Sequence, residues 1–134
     1  MTDHPLGPDA RHRRLDLRPG GPTAPAMAFV RAALADWQVD AALAADALLV
    51  AAELLANAIR HTPGAERLDL ALEPGALRIA VTDASTDPPR PRPHRPDAPG
   101  GHGLFIVERL ALTWGSDRAG HGKTVWVRVP IESR

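Results

Sequence analysis

Between Ala41 and Ile59 only three side chains are polar, Asp46, Glu53 and Asn57, and every other one is alanine, leucine, valine or isoleucine. With Asp40 ahead of it as a cap and Pro63-Gly64 behind it as a stop, the run predicts one long helix reaching about His61. A helix that is apolar on almost every side is expected to be buried nearly all round. A membrane span is the rival use of such a segment, but its two carboxylates are costly in hydrocarbon and its many alanines return little.

At about 100° per residue, Asp46 and Arg60 fall about 20° to either side of Glu53, with Asn57 about 40° away. The helix therefore carries a single polar line. A solvated face would be wider and richer in long charged side chains, whereas here a carboxylate and a carboxamide stand one turn apart among alanines and leucines. Burying such groups without partners costs roughly 1–3 kcal/mol each, so a line of this kind is expected to border a cleft. A glutamate there can accept a proton from a hydroxyl or a water. An asparagine oxygen is a neutral hard ligand suited to a Mg²⁺ ion that keeps several of its waters. The pair describes metal-assisted phosphate chemistry.

The remaining elements follow from period and punctuation. Arg13 to Arg18 alternates like a short edge strand before Pro19-Gly20-Gly21-Pro22, and residues 1–12 are polar and aperiodic, the expectation for a flexible leader to a domain covering 13–134. Met27, Val30, Leu34 and Trp37 give a helix from Thr23, its expected cap. Leu68, Leu70 and Leu72, then Leu77, Ile79 and Val81 after Pro74-Gly75, form an antiparallel hairpin that delivers Asp83 to a strand end. An Asp there is an acceptor-only group that can select an exocyclic amine such as that of adenine, or simply cap a turn. From 84 to 100 periodicity stops in a stretch holding six of the fourteen prolines together with Arg90, Arg92 and Arg95, which reads as a lid or linker. Gly100, Gly101 and Gly103 precede a short helix expected over Leu104 to Leu112, where free backbone N–H groups can meet phosphate oxygens. A last hairpin brings Val125, Val127 and Val129 to one face. The expected architecture is a two-layer α/β (α+β) sandwich, a mostly antiparallel sheet covered on one face by about three helices.

Composition removes other classes. Sixteen basic residues balance sixteen acidic ones, which leaves no overall field to hold a nucleic-acid backbone or an anionic membrane. The absence of cysteine excludes thiolate nucleophiles and Cys-type zinc sites, and the histidines lack ligand spacing. Met1 to Gly7 has no signal-peptide order, so the expected location is cytoplasmic. Gly122-Lys123-Thr124 imitates the end of a P-loop, but Asp117 stands where that motif needs glycine. Gly101-His102-Gly103 begins a dinucleotide fingerprint whose third glycine would fall at Ile106.

Glu53-Leu54-Leu55-Ala56-Asn57-Ala58-Ile59-Arg60-His61 resembles the N-box of the GHKL ATPase superfamily, the Bergerat ATP-binding fold of gyrase, MutL and histidine kinases. Val81-Thr82-Asp83 resembles the start of the next box, Gly101 to Val107 the glycine box after the lid, and Gly122 to Val125 the last strand. The boxes stand in the family's order over roughly residues 25–130, and the sequence around them is most similar to anti-sigma-factor serine kinases of the RsbW and SpoIIAB type and their small regulatory relatives.

The resemblance implies ATP and Mg²⁺ as cofactors. Glu53 would be the general base and Asn57 the Mg²⁺ ligand, with Arg60 and His61 at the basic end of the N-box. Asp83 would hold the adenine amine, with the Thr124 hydroxyl supporting that contact. Gly101 and Gly103 would pass the phosphates, and His102 and Leu104 would belong to the same cofactor-binding set. Implied partners are a sigma factor and an anti-anti-sigma antagonist protein, with a homodimer by analogy and no direct nucleic acid or membrane. The alternatives are a non-catalytic partner-switching module that keeps the nucleotide site, and a free-standing ATPase with water as acceptor. Ser85 departs from the family pattern, which usually has glycine two residues after the adenine-binding aspartate, and this implies weaker nucleotide binding.

Overall fold

The structure is a computed structural model, described here for residues 11–61, 64–84, 103–120 and 122–132. Its order is β1 (His12–Asp16), α1 (Ala24–Asp36), α2 (Ala41–His61), β2 (Ala65–Glu73), β3 (Ala76–Asp83), α3 (Gly103–Leu110), β4 (Thr113–Ala119) and β5 (Gly122–Pro130). The strands form one five-stranded sheet in the order β1-β2-β3-β5-β4, and each pairing is antiparallel. The expected two-layer α+β sandwich is observed, with wholly antiparallel pairing in place of a mostly antiparallel sheet.

Alternation decides which face is covered. Leu68, Leu70, Leu77, Ile79, Val127 and Val129 are fully buried on the helix side of the sheet. From α2 they meet Ala47, Val50, Ala51, Leu54, Leu55 and Ala58, a stripe at spacings of three and four. The β2–β3 hairpin closes at Pro74-Gly75, where Gly75 adopts φ 72° and Glu73 pairs with Ala76. Asp40 Oδ2 accepts from the Ala42 N–H at 3.2 Å and so caps α2 as expected. Thr23 precedes α1, but its side chain makes no capping hydrogen bond, and its carbonyl accepts from Met27 instead. β1 begins one residue earlier than expected, because His12 pairs with Ala71.

α2 is not buried all round. Ala42, Ala45, Leu49 and Ile59 are exposed, so less than half of the apolar span Ala41–Arg60 is buried. That span is long and apolar enough by length and composition to cross a membrane, yet its inner stripe is taken up by the sheet. A two-layer sandwich covers only one side of a helix, and alanines on the outer side leave little apolar area to hide. Gly122-Lys123-Thr124 opens a strand rather than a helix, as expected of a sequence that only imitates a P-loop.

On the open face three side chains gather on Asp69: His12 Nε2 at 3.0 Å, Arg14 Nε at 2.8 Å and Arg67 Nε at 3.0 Å. Burial acts to raise its pKa, but hydrogen bonds and charge from Arg14 and Arg67 outweigh it and hold the carboxyl below its ordinary value. A depressed folded pKa contributes stability above the unfolded pKa, and that stability is lost as pH falls through the folded value. Asp69→Asn is therefore expected to cost about 1–2 kcal/mol at neutral pH, and the gap from the parent protein to close below about pH 4. Urea unfolding at stepped pH measures both.

Candidate functional site

Sheet topology collects four chain segments at one end. β3 finishes at Asp83, which pairs with Ala65 at the start of β2 and with Lys123 near the start of β5. Gly64, just before β2, follows the carboxyl end of α2 closely, so the last turns of that helix belong to the same end. After Ala84 the chain is next described at Gly103, the first residue of α3.

Strand parity then places the side chains. Leu77, Ile79 and Val81 face the helices, so Asp83 faces them too, and Val125, Val127 and Val129 put Lys123 on that same face. Both charged groups are buried, Asp83 at 3 % and Lys123 at 5 % exposure. The ammonium lies 3.3 Å from one carboxylate oxygen and 3.4 Å from the other. Gly122 permits this approach of the strands, since a Cβ there would stand 1.8 Å from the Asp83 carbonyl oxygen.

Thr124 falls on the opposite face. Its hydroxyl meets the Thr82 hydroxyl at 2.7 Å, and Arg67 Nη2 donates to Thr82 at 3.4 Å. In the β3–β5 ladder Thr124 stands opposite Thr82, and Asp83 opposite Lys123. Sequence reasoning missed Lys123, although the alternation of Val129, Val127 and Val125 runs back to it directly.

On α2, Asn57 is buried at 8 % exposure beside Leu54 and Ala58 of the inner stripe. Glu53 and Asp46 are half-buried and Arg60 is exposed. The polar line thus runs along the border between packed face and solvent, with Asn57 turned in and Glu53 about 40° further out. His61 is the last residue of the helix, and Leu104 the second residue of α3. The side chains of His61 and Leu104, and the whole of Gly101, His102, Ser85 and the arginines Arg90, Arg92 and Arg95, lie outside the described residues. An open hollow lined by Trp37, Val39, Leu72, Glu73 and Ile131 sits at the other end of the strands and shares no residue with this set.

Nearby positions at the start of β5 make different demands. Gly122→Ala is expected to destabilise the fold by roughly 3 kcal/mol, because its methyl group meets backbone that cannot step aside. Thr124→Val removes one hydroxyl contact and is expected to cost about 1 kcal/mol. Chemical unfolding of the two variants checks the ranking.

Comparison with curated proteins found no match. The sequence does match the family described as the histidine kinase-like ATPase domain over residues 18–129, a range that holds α1 to α3, β2 to β4 and all of β5 but Pro130. The antiparallel sheet under three helices is consistent with the GHKL ATPase fold. Asp83, Asn57 and Glu53 stand at strand end and helix border within the matched range, and the chain belongs to the histidine kinase-like ATPase domain family.

Proposed function

We propose that the chain is a cytoplasmic ATP-dependent serine/threonine protein kinase of the anti-sigma-factor type, which phosphorylates a small antagonist protein and sequesters a sigma factor. Family membership supports ATP binding and ATP-dependent activity in general. The observation that carries the finer reading is the pairing of a half-buried Glu53 with a buried Asn57, one turn apart on the border of α2. The resemblance of the sequence around the boxes to the anti-sigma kinases supports the partners in this reading.

The donor set fits a cation shared with nucleotide. Mg²⁺ would be held through the neutral oxygen of the buried Asn57. That ion, when bound, neutralises charge on the phosphates during transfer. Asp83 offers buried acceptors to an exocyclic amine. Glu53 accepts the proton of the serine hydroxyl as that oxygen bonds to the γ-phosphorus and the bond to the β–γ bridging oxygen breaks, releasing ADP.

The test is transfer of radiolabel from γ-labelled ATP to a serine in an extract of the source cells. Wild-type protein is expected to label one small acceptor, and Glu53→Ala to lower the rate roughly 100-fold or more while still binding ATP. Equal labelling by both proteins, or none by either despite ATP binding, would contradict kinase activity, and the latter would leave a partner-switching module. Steady phosphate release without any acceptor would indicate an ATPase instead.

A further inference from the structure

The mechanism above uses Asp83 but not the buried cation beside it. An ion pair out of water gains little stability over an apolar pair of similar size, because desolvation offsets most of the attraction. This pair is also loosely made. Its contacts of 3.3 and 3.4 Å are long beside the 2.7 to 2.9 Å of well-formed charge-assisted hydrogen bonds. Lys123 sits nearly evenly between the two carboxylate oxygens rather than seated on one. It is held there by strand register, opposite Asp83 in the β3–β5 ladder.

A carboxylate accepts and an ammonium donates, so side by side they present an acceptor next to a donor. The Watson–Crick edge of adenine is the complement: a donor, the exocyclic amine, next to an acceptor, the ring nitrogen N1. An ammonium has three N–H groups and can serve both oxygens of Asp83 while turning one toward a ring nitrogen. We propose that Lys123 is a specificity-determining residue of the base site, donating to adenine N1 while Asp83 accepts from the amine. The inference rests on the reading of Asp83 as the base-binding carboxylate. It assigns to a lysine the second contact that sequence had given to Thr124.

The probe is 1-deaza-ATP, in which N1 is replaced by C–H and the amine is kept. Calorimetric titration of the wild-type chain should find this analogue bound about tenfold or more weakly than ATP. Lys123→Met is expected to bind ATP and the analogue alike, and Lys123→Arg, which keeps a donor, to retain the preference. The wild-type comparison needs no variant to fold. Equal affinity of wild type for both nucleotides overturns the proposal while leaving nucleotide binding intact. So does a preference that persists in Lys123→Met, or tighter ATP binding in that variant, which would make the ammonium a competitor of the base. Failure of the wild type to bind either nucleotide overturns the nucleotide reading and this inference with it.

Discussion

Burial of one side of α2 against the two central strands is the contact on which the other features depend. Its inner stripe, Ala47 to Ala58, shares one buried core with Leu77, Ile79, Val81, Val125 and Val127. Helical periodicity does the rest: once Leu54, Leu55 and Ala58 face the sheet, Asn57 must lie at the edge of the packed arc and Glu53 beyond it. The positions of two polar groups are thereby set by apolar neighbours. A substitution that rotated the helix to improve packing would move both groups off the border.

The sheet supplies the complementary constraint. Because β5 inserts between β3 and the edge strand β4, the carboxyl end of β3 lies against the amino end of β5, and Asp83 meets Lys123. The hairpin of β2 and β3 alone would leave Asp83 with one neighbour strand. Gly122 allows the ladder to continue to that end, where any larger residue would strike the Asp83 carbonyl. A buried charge pair placed this way is a device for presenting polar groups in a fixed arrangement rather than a source of folding energy.

Much of this was legible in the sequence, for physical reasons that also explain what was not. Hydrophobic period distinguished α2 from the β2–β3 hairpin, since alternation in twos and in threes and fours leaves different traces in Leu68 to Val81 and in Ala47 to Ala58. The four boxes were found by order, and the family match over residues 18–129 agrees with their span. The extent of burial of α2 was misjudged because alanine is indifferent to exposure: Ala42 and Ala45 face solvent without penalty, and apolar composition alone does not count layers. Thr124 was given its role by resemblance, and the alternation that puts Lys123 on the face of Asp83 went unused, although one residue along a strand reverses the side on which a group stands. The Asp69 cluster joins residues from β1 and β2, and pairing between distant segments leaves no local pattern.

The central claim is that α2 and the strand ends together form an ATP and Mg²⁺ site with Asn57 at the metal. Calorimetric titration of the chain with ATP, with and without Mg²⁺ and beside Asn57→Ala, tests it most directly. The account predicts ATP binding that requires Mg²⁺ and is lost in the variant. No binding by the wild-type chain at millimolar ATP, or binding indifferent to both Mg²⁺ and Asn57, would contradict it.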